Sequence, residues 1–148
     1  MLETFLRLES YSLYDDVLPV LDRLHGAGLK LGVISNWEEW LERLIVHLEI
    51  GHYFDVVAVS GTFGVEKPEG AIFRYALEAA DALPEDAVHI GDSFGDDVLG
   101  AASVGIRPIL LDRENRGFPL LPSQGGELPK PVARVQSLLE VPGLLGLE

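Results

Sequence analysis

The chain has 148 residues, with 11 basic against 24 acidic side chains for a net charge of −13, 47% hydrophobic content and no cysteine. That length matches one domain, able to bury about 68–70% of its unfolded surface, and the positive mean hydropathy excludes a disordered, charge-dominated polymer. The acidity, with Lys and Arg scattered, excludes a nucleic-acid binder, which needs a basic stripe, and disfavours anionic membrane surfaces. Lack of cysteine excludes a disulfide framework, a thiolate nucleophile and a Cys-type zinc site, and is compatible with a cytoplasmic location. Met1, Leu2 and Glu3 do not open a signal peptide, and no stretch approaches the roughly 20 apolar residues of a membrane span.

In chain order, Asp15 and Asp16 precede Val17, Val20, Leu21 and Leu24, a helical stripe closed by Gly26 and Gly28, so residues 15–27 read as a capped amphipathic helix. Residues 30–35 (KLGVIS) are a short apolar run and read as a buried strand. Leu41, Leu44, Ile45 and Leu48 then repeat at helical spacing within residues 37–48, and residues 55–60 (DVVAVS) form a β-branched second strand. Pro68 opens a helix with Ile72, Phe73, Ala76 and Leu77 as its apolar face. A third strand at 87–91 (AVHIG), a helix at 96–104 and a fourth strand at 107–111 (RPILL) follow. Residues 112–131 read as a Gly- and Pro-rich loop, 132–139 as a short helix and 141–148 as a frayed tail. Strands that are continuously apolar and alternate with helices point to an α/β fold with a parallel sheet and helices on both faces.

In an open parallel sheet, ligands bind beyond the carboxyl ends of the strands. The first strand ends in Ser35-Asn36, the third in Gly91-Asp92-Ser93, and Glu66-Lys67-Pro68 stands between them. Ser35 and Asn36, with the backbone N–H groups that follow, can hold a phosphate oxygen. Lys67 offers a compact positive charge to a phosphoryl group. Asp92, with Asp96 or Asp97 behind it, offers the one or two carboxylates that Mg²⁺ takes. Each also has an ordinary reading: a helix cap for Ser35-Asn36, a surface lysine for Lys67, and favourable carboxylates at a helix start for the acidic group. The four histidines form no metal-ligand pair, and Trp37 and Trp40 read as packing.

In sequence, VISNW, EKPEGAIFRYAL and HIGDSFGDDVLGAASVGI resemble the haloacid dehalogenase (HAD) superfamily of hydrolases, in particular its phosphatase-like members with a helical cap, over about residues 15–112. The resemblance implies a three-layer α/β/α Rossmann-like core, Mg²⁺ as cofactor, and phosphoryl transfer to water through an aspartyl-phosphate. It assigns Ser35 and Lys67 to the phosphoryl group, Asp92 to Mg²⁺ and Asp97 to the same metal motif behind it, with Asp96 the neighbouring alternative. The family's first motif, a strand ending in DxDx[TV] that carries the nucleophile, has no counterpart here, because the chain contains no DxD. Residues 1–14 read instead as the remnant of a cap or linker helix, and residues 15–140 as a partial core.

The expectation is a shortened hydrolase without its nucleophile, inactive alone and binding Mg²⁺ weakly or not at all, that would act on a small phosphorylated metabolite if completed. A non-catalytic binding or assembly module on the same scaffold is the alternative, and a phospho-acceptor receiver domain is disfavoured by the order of Ser, Lys and acids. The missing strand belongs between residues 30–35 and 87–91, leaving a gap of roughly 10 Å. Either those strands pair with each other, or another segment or chain fills the slot, or the fragment is marginal; an unfilled slot favours self-association by strand addition.

Overall fold

The computed structural model describes residues 14–37, 40–117 and 133–147. Helix α1 (Val17–Gly26) is followed by β1 (Gly32–Ser35), α2 (Leu41–His47), β2 (Val56–Val59), a one-turn α3 (Ser60–Phe63) and α4 (Gly70–Ala79). Then come β3 (Val88–Gly91), a π-helical turn (Phe94–Leu99), α5 (Gly100–Ser103), β4 (Arg107–Leu111), β5 (Ala133–Val135), a 3₁₀ turn (Leu138–Glu140) and α6 (Val141–Leu144). Every described ladder is parallel, so each pairing needs a crossover segment; α2 lies in the one between β1 and β2, and the π turn with α5 in the one between β3 and β4. No described helix is long and apolar enough to cross a membrane.

The strands divide into two sheets, β1-β2 and β3-β4-β5. Residues 32–35 pair with 56–59, and residues 88–91 with 107–110; β1 and β3 are not laddered to each other. Among the described residues, then, β1 and β3 do not close up on each other. Burial follows the pairing. In β2 only Val57 is not buried and in β4 the middle residues are buried, whereas no residue of β1 or β3 is.

Helices hold the two sheets beside one another. On one face α4 packs on β1, β2 and α5, and the Phe73 ring meets His89 of β3 edge-on at 5.1 Å. Val56, Ala58, Ile72, Phe73, Ala76, Ala101 and Ile106 form the core of that face. On the other face α1 touches both the 3₁₀ turn Gly51–Tyr53 on the β1-β2 side and the Leu138–Leu144 region on the β4-β5 side. Its Asp22 accepts a hydrogen bond from the Tyr53 hydroxyl. The slot between β1 and β3 is thus spanned by α1 on one face and α4 on the other. Among the described residues the three-layer arrangement stands with no strand between β1 and β3.

Several local expectations need correction. Residues 132–139 are not a helix: Ala133–Val135 is a strand paired to Ile109–Leu111, and only then does a 3₁₀ turn begin. The segment after 141 is not frayed, since Val141 is completely buried against Ile109 and Val135. Pro68 does not open α4, which starts at Gly70; the Lys67–Pro68 peptide bond is cis. The helix expected from 96 starts earlier, as a π turn at Phe94. The reading of residues 1–14 as a cap remnant falls, but for Tyr14, outside the described residues.

Candidate active site

Ser35, the last residue of β1, and Gly91-Asp92, at the end of β3, stand at the carboxyl ends of the two strands that border the slot. Asn36 follows Ser35 and is spent on a backbone: its side-chain oxygen accepts from Lys67 N–H (2.7 Å) and its amide donates to the Lys67 carbonyl (3.0 Å). The same amide lies 3.5 Å from Asp96 Oδ2. Asn36 thus mimics a strand neighbour for Lys67 and ties the loop before α4 to the end of β1. The sequence had offered Asn36 as a phosphate ligand; the structure gives it a positioning task.

Lys67 directs its ammonium, 11% exposed, to Asp97 Oδ1 in an ion pair. Asp97 is 4% exposed and fully engaged, because Oδ1 also meets His89 Nε2 at 2.8 Å and Oδ2 accepts from Ser93 N–H at 3.1 Å. Burial alone would raise the Asp97 carboxyl, but the hydrogen bonds from His89 and Lys67 hold it below the ordinary carboxylate value. The chain reaches this geometry through the π turn. Ser93 caps it by accepting from Asp96 N–H (3.2 Å), and its carbonyl receives both Asp97 N–H (2.8 Å) and Val98 N–H (3.3 Å). Such wide turns recur at functional sites. A Cβ on Gly91 would stand 2.1 Å from the Asp97 carboxyl carbon, so only glycine leaves room for this carboxylate over β3.

His89, set aside from sequence as a strand residue, therefore belongs to the site. Its signal was available: His89 and Gly91 lie two apart on a strand and share a face, and Gly91 is the position that vacates space for Asp97.

For Mg²⁺, the donor set is thin. Asp97 has both oxygens committed to Lys67, His89 and Ser93, which leaves Asp92, exposed at the rim, and Asp96. Among the described residues no three His, Asp or Glu side chains are grouped to hold a metal ion. The residues present do not by themselves fit a dedicated Mg²⁺ site.

On the β4 side of Asp92 a cleft of about 450 Å³ is lined by Tyr14, Gly91, Leu111, Arg113 and Arg116 among others. Two buried carboxylates, Asp112 in its lining and Asp16 behind Arg113, hold the residues around it. Asp16 is 8% exposed and takes both guanidinium nitrogens of Arg113 (2.8 and 3.1 Å), the Ser137 hydroxyl (3.0 Å) and Leu138 N–H (2.9 Å). Arg113, ahead of opposing burial, draws its pKa down from 3.8 to about 2. Asp112 receives the N–H groups of Arg116 (2.9 Å) and Gly117 (2.7 Å) and the Arg134 guanidinium (2.8 Å), which holds it below the usual carboxylate value.

Comparison with known proteins bears on the family and the fold. Residues 2–105 match the haloacid dehalogenase-like hydrolase family. A glyceraldehyde 3-phosphate phosphatase of Methanothermobacter thermautotrophicus is 43% identical over 94 residues, 62% of this chain and 41% of that protein. A phosphoserine phosphatase of Thermus thermophilus is 36% identical over 104 residues, 70% of this chain and 42% of its own length. A HAD phosphatase structure from Thermococcus onnurineus superimposes with a TM-score of 0.84 at 29% identity, over 98% of this chain and 63% of that one. The fold alone is shared with HAD-hydrolase YfnB of Bacillus subtilis, solved with magnesium bound (TM-score 0.81, 20% identity, 95% of this chain, 59% of that one). The chain spans about half the length of the curated relatives it matches.

Proposed function

Because this chain belongs to the haloacid dehalogenase-like hydrolases, we propose that it is the phosphoryl-binding part of a HAD phosphatase, acting on a small phosphorylated metabolite only when a strand carrying the nucleophile occupies the slot between β1 and β3. The observation that carries this reading is the buried Lys67–Asp97 pair, locked by Asn36, His89 and Ser93 at the rim of that slot. An ammonium fixed in this way presents positive charge to a phosphoryl group at no reorganisation cost. The Ser35 hydroxyl, at the neighbouring strand end, supplies a hydrogen bond to a phosphoryl oxygen. Asp97 positions Lys67 and leaves metal contact to Asp92 and Asp96.

Alone, the chain contains no DxD carboxylate pair, so it has no aspartyl-phosphate route, and with the thin donor set described above it binds Mg²⁺ weakly. Its place of action is the cytoplasm, a reading supported by the cysteine-free composition.

The test is hydrolysis of a generic phosphate ester by the purified chain with Mg²⁺ present. Negligible turnover is expected, together with saturable binding of inorganic phosphate that Lys67→Met weakens. A clear rate abolished by Asp92→Asn overturns the claim of inactivity.

A second reading, a non-catalytic docking module, is favoured by the edges of β1 and β3 that no described strand pairs, which suit strand addition from a partner or a second copy. An in-frame DxDx[TV] strand encoded upstream of Met1 would decide for the phosphatase, and intervening stop codons for the module.

A further inference from the structure

Three arginines surround the loop that follows β4, and the structure treats them differently. Arg113 is held by both oxygens of Asp16, with its guanidinium carbon 3.9 Å from the centre of the Tyr14 ring. Arg134 is held by Asp112 and by Asn115 Oδ1 (2.9 Å). Both are therefore neutralised or saturated by buried or structural acceptors. Arg116 differs: its side chain is 77% exposed and pairs with Glu114, itself 68% exposed. An ion pair so exposed is worth little, so a ligand carboxylate can replace Glu114 at small cost.

The position of Arg116 is nonetheless fixed. Its backbone N–H and that of Gly117 are bound by the two oxygens of buried Asp112, and Asn115 and Gly117 take the left-handed backbone the turn requires (φ 56° and 79°). The loop is thus a built platform and not a floppy tip. It sets Arg116 in the wall of the cleft that Asp92 also lines, on the far side of β3 from Lys67 and Ser35. Tyr14 also lines this cleft, a 66% exposed ring with the Arg113 guanidinium over it.

We propose that Arg116 is a specificity-determining residue, which selects phosphate esters whose leaving group carries a carboxylate. The inference rests on the phosphoryl-site reading above: with the phosphoryl group at Lys67 and Ser35, the remainder of the ester extends past Asp92 into this cleft. In a chain of net charge −13 an anionic substituent is repelled by the overall field, so a placed guanidinium is required to accept one. Planar, two-pronged recognition of a carboxylate is what Arg provides and Lys does not. Glu114 acts as the resident competitor.

The test compares two probes that differ in the carboxylate alone, 3-phosphoglycerate and glycerol 3-phosphate, by calorimetric or NMR titration of the 148-residue chain. The expected result is about three- to tenfold tighter binding of 3-phosphoglycerate. Arg116→Gln removes that preference and leaves glycerol 3-phosphate and inorganic phosphate unaffected, Arg116→Lys restores it only in part, and Glu114→Gln enlarges it. All three variants alter exposed side chains, and an unchanged melting temperature verifies the fold. Equal binding of the two esters by the parent chain, or a preference that survives Arg116→Gln, overturns the inference while leaving the phosphoryl site standing. Failure of both esters and of inorganic phosphate to bind overturns the phosphoryl-site reading, and this inference with it.

Discussion

Replacing Asp16 by Asn probes the contact on which the seating of α1 depends. The carboxylate accepts four hydrogen bonds from three residues, Arg113, Ser137 and Leu138, the last about 120 positions away along the chain. A drop in pKa from 3.8 to about 2 corresponds, at about 1.4 kcal/mol per pH unit, to about 2 kcal/mol of stability at neutral pH. Arg113 is one-quarter exposed, and solvent screening trims the figure to about 1–2 kcal/mol. The folded-state pKa lies below the unfolded one, so the contribution is complete above about pH 4 and fades as pH falls towards 2. Urea unfolding of the parent and of Asp16→Asn should differ by about 1–2 kcal/mol at pH 7 and converge near pH 2. Asp97 and Asp112 lose stability over the same acid range, but they titrate in both proteins and cancel in the difference. A gap of the same size at pH 7 and pH 2, or none at pH 7, refutes the assignment.

Gly91→Ala places a methyl group against the Asp97 carboxylate and should cost about 1–3 kcal/mol in chemical denaturation while weakening inorganic phosphate binding through the displaced Lys67. The Lys67→Met and Asp97→Asn pair, measured singly and together, should be non-additive by about 1–3 kcal/mol, since each change leaves the other group poorly matched in a buried setting; additivity denies that the two act as a unit. Backbone amides of β3 should exchange faster than those of β4, because among the described residues β4 is laddered on both sides and β3 on one; equal protection denies that β3 borders an open slot.

The alternation of apolar strands with amphipathic helices was readable because both periods are local, and the chemistry at strand ends followed from the geometry of any parallel sheet. Ser35 and Asp92 were expected on one rim from their positions after strands, and Lys67 from its place between them in the chain. What was missed depends on pairing between distant segments. Ala133–Val135 is three residues long, too short to show a period, and is a strand only because Ile109–Leu111 lies beside it. Asn36 was read as a ligand because its partner, the Lys67 backbone, is 31 residues away. Asp16 was read as a helix cap; at that position it makes no capping hydrogen bond and serves Arg113 instead. His89 could have been found through its shared face with Gly91. The π turn could not, since its wider spacing leaves an ordinary helical pattern in the residues.

Under the proposed function, activity turns on a strand that fills the slot between β1 and β3. Adding a synthetic peptide that carries a DxDx[TV] strand, and following phosphate-ester hydrolysis with Mg²⁺ present, tests the account at its centre. The account predicts no rate from the chain alone, a rate that rises and saturates with peptide, and loss of that rate in Lys67→Met. Hydrolysis by the chain alone that neither the peptide nor Lys67→Met alters would contradict it.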